Sequence, residues 1–244
     1  MTKLLKIIRI ELMLFIRQRE SVFYTLAFPF ICLLLFAGIW GKFPGYINTL
    51  TSGLTGMIAL NIAVFGAGLV LNFYRQHGFY KRLTISPVSE LIYLSGLIIS
   101  RFIILFVVAN LFMLFSYTVF GFRIKGNIFE VNLILFIGTL SLAALAVFLV
   151  SLGRTQSQTI QTANLLFFPM LFLGGTFYSI DHLPQFLKII AHVFPYTYLN
   201  KGLSNIIIRG TPFFQNITEL GILLFWLILC LSLAVKRFKK EEVL

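Results

Sequence analysis

The chain has 244 residues, of which 59% are hydrophobic and 11% are charged, and its mean hydropathy is +0.94. Soluble domains contain roughly 45–50% apolar and about 25% charged residues, so this composition excludes an ordinary soluble domain and indicates an integral membrane protein. One membrane span needs about 20 apolar residues, which leaves room for some six spans and no sizeable soluble domain. We therefore expect a single transmembrane domain over residues 1–244.

The formal net charge of +12 does not indicate a nucleic-acid partner, because the basic residues flank apolar runs and do not form one patch. Cys32 and Cys230 both lie inside apolar runs. We expect free thiols, with neither a disulfide nor a metal site.

Residues 1–20 predict an amphipathic helix that lies in the membrane interface. Bases occupy one sector of its helical projection and apolar residues occupy the opposite sector. The bases are Lys3, Lys6, Arg9 and Arg17, and the apolar residues are Leu4, Ile8, Leu12, Phe15 and Ile16. The alternative interpretation is an ordinary cytoplasmic extension of the first span.

Six apolar runs predict six membrane-spanning helices. They cover about residues 22–40, 54–73, 91–120, 131–152, 159–176 and 220–235, with residues 42–51 as a turn after the first span. In the second run Ala59, Ala63 and Ala67 recur at four-residue intervals, which predicts close packing against another helix, within the subunit or across a dimer. Arg101 in the third run is expected to reach the cytoplasmic headgroups and to anchor its helix.

The predicted spans contain no acidic residue, but the second, third and fifth contain Asn61, Asn110 and Asn164. These amides either line a substrate path or form hydrogen bonds between helices, and the sequence leaves both interpretations open. Ser86 and Pro87 suit the cap and first turn of the third helix.

Residues 177–218 form the predicted outer-side segment, since no apolar run in it is long enough to span a membrane. Asp181, His182 and Pro184 open a short helix that ends at Phe194, and a second amphipathic helix from Tyr196 to Arg209 ends at Gly210. The two helices are expected to dip into the outer membrane surface.

The basic residues are concentrated on the side of the membrane that carries both termini and the polar segment 74–90. Both termini are therefore expected in the cytoplasm. The sequence contains no G-x-x-x-x-G-K-[ST] phosphate loop, and no H-E-x-x-H or G-x-S-x-G motif accompanies its histidines. We predict no catalytic residues and no ATPase site in this chain.

Two stretches resemble the membrane subunits of ABC type-2 exporters. The first, RQHGFYKRLTISPVSELIYLSG, is similar to the family's loop between the second and third spans, with Gly78, Arg82, Leu83 and Pro87 at the matching positions. The second, residues 167–210, is similar to the family's apolar run, small-residue turn and short helices before the last span.

This resemblance implies a half-transporter, in which two permease subunits, identical or different, sit on two ATP-binding subunits that hold ATP and magnesium. The loop from Tyr74 to Glu90 would contain the coupling helix. Its coupling residues would be Gly78, Phe79, Tyr80, Lys81, Arg82 and Leu83. Residues 1–20 would be the family's interfacial connecting helix, and residues 177–218 its outer re-entrant hairpin.

The sequence therefore predicts an all-α membrane permease of an ATP-driven exporter in the cell membrane, for a hydrophobic or amphiphilic substrate such as a drug, an antimicrobial or a lipid-like molecule. One alternative is the permease for a lipid-linked polysaccharide. A hypothesis of another class is a non-transporting membrane scaffold or signalling-complex subunit. A membrane-embedded enzyme would need converging ionisable residues at depth, and the predicted spans offer only Arg101.

Overall fold

The computed structural model describes residues 2–76, 88–153 and 155–242, which are helical and contain no β-strand. The helices in this part of the chain are α1 (Thr2–Arg17), α2 (19–40), α3 (46–76), α4 (Glu90–Phe120), α5 (Ile128–Val150), α6 (Gln156–Leu173), α7 (Gln185–Val193), α8 (195–209) and α9 (Ile217–Glu242). Three of them contain π-helical turns, at Phe23–Ala27 in α2, Ile62–Leu69 in α3 and Asn205–Arg209 in α8.

Among the described residues, five helical segments are long and apolar enough to cross a membrane. They are Phe23–Trp40, Tyr46–Tyr74, Leu91–Phe120, Ile128–Val150 and Ile217–Ala234. The described residues therefore confirm the predicted all-helical fold with several apolar helices, which is consistent with a multi-pass membrane protein. The predicted fifth span forms α6, which is not among the five, because the glutamines at 156, 158 and 161 make its first turns polar.

Two helix starts differ from the sequence prediction. Gly45 has a left-handed backbone (φ 79°), so the turn after the first span ends there, and α3 begins at Tyr46 rather than after residue 51. The polar residues that suggested a longer turn are tolerated in the helix: the Thr51 hydroxyl lies 2.6 Å from that of Ser116 on α4. The helix α4 begins at Glu90 with Ser89 as its cap, so the prediction of a cap at 86–87 is wrong.

The helix α3 lies at the centre of the fold, since residues 50–64 are all buried and α3 contacts α2, α4, α5, α6 and α8. Ala59, Ala63 and Ala67 are buried within this chain. The small residues let helices approach closely: a Cβ at Gly68 would lie 2.8 Å from the Cβ of Ala146 on α5. The sequence allowed these alanines to pack within the subunit or across a dimer. Contacts within one subunit account for their burial in this structure.

The beginning of α3 meets the turn after α6 at very short range. A Cβ at Gly53 would lie 2.0 Å from the Thr176 carbonyl oxygen, so only glycine fits there. The hydroxyls of Thr176 and Tyr196 are 2.7 Å apart, and burial raises the pKa of Tyr196 to about 12. The two hydroxyls form a hydrogen bond in this junction, in which either can be the donor.

Both short helices predicted within 177–218 are present. The helix α7 follows Pro184 and ends at Phe194, and α8 ends at Gly210, whose φ of 72° is left-handed. Four large apolar residues of α7 remain exposed, namely Phe186, Ile189, Ile190 and Val193, together with the polar Gln185 and His192. Their position in the outer membrane surface stays a prediction.

Candidate functional site

The predicted coupling residues lie outside the part of the chain that the structure describes. Residues 77–87 contain all six of them: Gly78, Phe79, Tyr80, Lys81, Arg82 and Leu83. The structure does describe the helices on either side, since α3 ends at Gln76 and α4 begins at Glu90. The candidate site that the structure describes therefore consists of residues at and near the two ends of this loop.

The N-terminal helix α1 packs against α4 through one face. Ile7 and Glu11 are buried on this face, whereas the four predicted bases of α1 are exposed. Gly96 on α4 makes the approach possible, because a Cβ there would lie 2.5 Å from Cγ2 of Ile7. The close approach places the Glu11 carboxylate between α1, α3 and α4.

The Glu11 carboxylate accepts hydrogen bonds from three side chains. Nη2 of Arg101 donates to Oε2 at 3.1 Å, and the hydroxyls of Tyr74 and Tyr93 donate to Oε1 at 3.1 and 2.6 Å. Nε of Arg101 donates to the Gly66 carbonyl oxygen at 2.8 Å. We call Glu11, Gly66, Tyr74, Tyr93 and Arg101 the Glu11 cluster.

Gly66 belongs to the π-helical turn of α3, Ile62–Leu69. A π-turn replaces the i→i+4 hydrogen-bond pattern by i→i+5, and such turns are frequent at functional sites. The absence of a side chain also matters, because a Cβ at Gly66 would lie 3.4 Å from Cδ of Arg101. The local geometry of α3 therefore supplies both the acceptor and the space for the guanidinium group.

The structure corrects the prediction that Arg101 reaches the lipid headgroups. Its side chain is 9% exposed and that of Glu11 is 1% exposed, so both charges are removed from solvent. A buried charge requires an opposite charge and hydrogen bonds, and the Glu11 cluster provides both. Arg101 points into the protein because its partners lie there.

The Glu11 cluster joins both ends of the predicted coupling loop to α1. Tyr74 lies in the last turns of α3, and Tyr93 lies in the first turn of α4. A single carboxylate oxygen accepts hydrogen bonds from both. A displacement of the loop must therefore move α1 with it or break charge-assisted hydrogen bonds in a buried site.

The sequence pattern did not identify Glu11, Tyr74 and Tyr93 as members of a site. The sequence contained one indication that Glu11 and Arg101 pair. Glu11 is the first acidic residue in a strongly basic N-terminal segment, and Arg101 is the one charged residue inside a predicted span. A lone buried base needs an acidic partner. The spans contain none, so the partner had to come from a flanking helix.

The three asparagines predicted on a substrate path occupy separate places. Oδ1 of Asn61 accepts from the Thr25 hydroxyl at 3.0 Å, and Asn110 and Asn132 exchange amide hydrogen bonds at 2.9 and 3.3 Å. Asn164 is half-buried on α6. Among the described contacts, no hydrogen bond joins any two of the three. Asn61 and Asn110 thus link helices, and a role on a substrate path stays a prediction.

A family model described as "ABC-2 type transporter" matches residues 2–208, from α1 to the end of α8. The chain belongs to the ABC-2 type transporter family. The match includes both the Glu11 cluster and the loop 74–90, and it confirms the resemblance to the membrane subunits of ABC type-2 exporters.

Relatives of the chain are transport permeases. Over 188 residues it is 23% identical to linearmycin resistance permease protein LnrN of Bacillus subtilis (strain 168). This alignment covers 77% of this chain and 48% of that protein. It is 27% identical over 189 residues to the putative transport permease ycf38 of Cyanophora paradoxa, covering 70% and 62% of the two chains. For ycf38 of Porphyra purpurea the identity is 26% over 217 residues, covering 81% and 70%. The chain thus spans about half the length of the Bacillus relative.

Proposed function

We propose that this chain is the permease subunit of an ATP-driven exporter and that the Glu11 cluster transmits movement of the loop 74–90 into the membrane domain. The observation that carries the proposal is the Glu11 carboxylate, which accepts hydrogen bonds from Tyr74 and Tyr93 at the two ends of that loop. ABC-2 membership implies association with an ABC ATP-binding subunit. In the proposal that subunit holds the ATP and magnesium, and two copies of it carry two permease subunits, identical or different.

The coupling step relies on the stiffness of the helices on either side of the loop. The helices α3 and α4 are both long enough to span a membrane, and Arg101 ties them together through Gly66. A push on residues 78–83 would therefore reach α1, α3 and α4 at the same time. Rigid elements of this kind convert a local displacement into a movement of whole helices.

The proposed orientation places both termini and the loop 74–90 in the cytoplasm, with the protein in the cell membrane. It makes α6 the fifth of six crossings and places α7 and α8 at the outer surface. The N-terminal helix α1 lies in the inner interface. Its exposed residues support this position, because Lys3, Lys6, Arg9 and Arg17 are exposed together with apolar residues such as Leu5 and Ile16.

The proposed substrate is a hydrophobic or amphiphilic molecule such as a drug, an antimicrobial or a lipid-like compound. Apart from the Arg101 pair, charged groups are absent from the described interior of the apolar spans, and one relative carries the name of a resistance permease. A lipid-linked polysaccharide is the alternative substrate. A non-transporting scaffold is disfavoured by the shared family with transport permeases.

The function is tested by reconstituting the chain with its cognate ATP-binding protein in vesicles. We expect ATP-dependent movement of a fluorescent amphiphile and no movement when ATP is replaced by a non-hydrolysable analogue. A lipid-linked oligosaccharide measured in parallel decides between the two substrate classes. If the ATP-binding protein is retained but neither compound moves, the scaffold hypothesis replaces the exporter.

The orientation is tested by labelling single cysteines in intact cells with a membrane-impermeant maleimide. Asp181→Cys is expected to react from outside, since Asp181 is exposed in the turn before α7, whereas Ser86→Cys is expected to react only after cell disruption. The native Cys32 and Cys230 are buried and give a low background. Labelling of Ser86→Cys from outside with protection of Asp181→Cys would contradict the orientation.

A further inference from the structure

A cavity of about 440 Å³ with a mixed polar and apolar wall lies at the end of α3 that is opposite to the loop 74–90. It is enclosed by the first turns of α3, the connection after α6, the helix α8 and the beginning of α9. Hydroxyl groups, amides and charged side chains form about half of its wall, and apolar surface, including Ile180 and Ile208, forms the other half. The polar half offers hydrogen-bonding and charged groups to an occupant.

Charges of both signs surround this cavity. Asp181 and Glu219 supply two carboxylates, and Lys201 and Arg209 supply two cationic groups. The described residues contain no ion pair among these four, whose formal charges cancel. Oδ2 of Asp181 accepts from the Ser179 hydroxyl at 3.0 Å, and Nζ of Lys201 lies 3.3 Å from Nε2 of His192. Glu219 and Arg209 are therefore the two charges most open to a ligand.

Two buried polar atoms in the wall also lack a hydrogen-bond partner within the described part of the chain. They are Oγ of Ser52 and Oδ1 of Asn200, on residues that are 2% and 5% exposed. The amide of Asn200 is held in place, because its Nδ2 donates to the Gly174 carbonyl oxygen at 2.8 Å. Both atoms are sealed inside the wall, and Oδ1 of Asn200 faces Gly56, so an occupant would meet the charged side chains rather than these two atoms.

We propose that this cavity binds a zwitterionic group, in which an ammonium stands next to a phosphate or carboxylate. Glu219 would receive the ammonium hydrogens, and the Arg209 guanidinium would hold the anion. A pure anion would face two carboxylates and a pure cation would face two bases, so neither matches the wall as well. The group can come from a phospholipid headgroup or from a free small molecule.

The chemistry is tested with the purified full chain in detergent and with phosphoethanolamine as the probe. Calorimetry is expected to show saturable binding that is tighter than the binding of phosphate alone or of ethanolamine alone. Glu219→Gln and Arg209→Gln are each expected to weaken this binding by roughly 10- to 100-fold, which corresponds to the loss of one charged hydrogen bond.

Matched controls come from the same side of the protein. Glu130 matches Glu219, because each lies in the first turn of its helix, α5 and α9 respectively. Arg123 is an exposed arginine that matches Arg209. Glu130 and Arg123 do not line the cavity. Glu130→Gln and Arg123→Gln are expected to bind phosphoethanolamine like the unmodified chain. Melting temperatures of all four variants establish that each one is folded.

The source of the zwitterion is decided by native mass spectrometry of the chain released from bilayers of phosphatidylethanolamine or phosphatidylglycerol. Retained phosphatidylethanolamine that is lost in Glu219→Gln and Arg209→Gln identifies a lipid headgroup. Equal lipid retention in all variants, together with the calorimetric losses, identifies a free small molecule. The inference is overturned if no probe binds saturably, or if the two cavity variants bind like the two controls. These experiments need no ATP, so their outcome is independent of the exporter proposal.

Discussion

Replacement of Arg101 by methionine is expected to lower the free energy of unfolding by roughly 3–5 kcal/mol, because the Glu11 carboxylate then stays buried without its cationic partner. For a chain of this size the loss corresponds to a melting temperature lower by about 6–20 °C. The measurement is thermal unfolding of the purified protein in detergent, followed by size-exclusion chromatography of the soluble fraction.

A double-mutant cycle separates the ion pair from ordinary side-chain packing. Glu11→Leu leaves the Arg101 charge unpaired and is expected to cost about as much as Arg101→Met. The double variant leaves no buried charge, so its loss should be smaller than the sum of the two single losses by roughly 1–3 kcal/mol. Arg123→Met, on an exposed arginine, is the control and should stay within about 0.5 kcal/mol of the unmodified chain.

The same double variant distinguishes stability from coupling. It is expected to fold but to lack the carboxylate that holds Tyr74 and Tyr93 to α1. If the Glu11 cluster transmits movement, the double variant should retain its ATP-binding partner and lose most ATP-dependent transport. Normal transport by this variant would limit the cluster to a structural role, and a melting temperature unchanged in Arg101→Met would contradict the buried pair itself.

Replacement of Phe79 or Leu83 by aspartate is expected to abolish co-purification with the cognate ATP-binding protein and stimulation of its ATPase activity. In the exporter proposal both side chains would insert into a cleft of that protein, where a carboxylate would lose its hydration without gaining a partner. Loss of a central apolar contact weakens the free energy of binding by at least about 2 kcal/mol, which makes the complex of each variant roughly 30-fold weaker.

A control for this experiment is Phe214→Asp. Phe214 is 80% exposed and precedes α9, far in sequence from the loop 74–90 and on the side proposed to face outward. The same chemical change at this position should leave the complex and its ATPase stimulation intact. If Phe79→Asp and Leu83→Asp also leave both intact, residues 78–83 do not couple this chain to an ATPase.

Helix positions were predictable where local sequence controls them. The segments Gln185–Val193 and 195–209 follow from Pro184, Pro195 and Gly210, since proline fixes φ where a helix begins and glycine readily adopts the left-handed backbone that ends one. The start of α3 was predicted too late, because Thr51 looks like a loop residue until its hydroxyl is seen to pair with Ser116, 65 residues further along the chain. Errors of this kind occur where a distant partner makes a polar residue acceptable in a buried helix.

The sequence by itself determined the membrane class, the apolar helices and the family resemblance, because each depends on composition and spacing within short windows. The tertiary structure alone decided the direction of Arg101, the π-helical turn that offers it the Gly66 carbonyl, and the charged wall of the cavity beside α8. Glu11 and Arg101 are 90 positions apart, and the burial that makes their pairing necessary arises only when α1 packs on α4. Electrostatic partners in this protein are set by three-dimensional proximity and by removal from solvent, neither of which a local pattern contains.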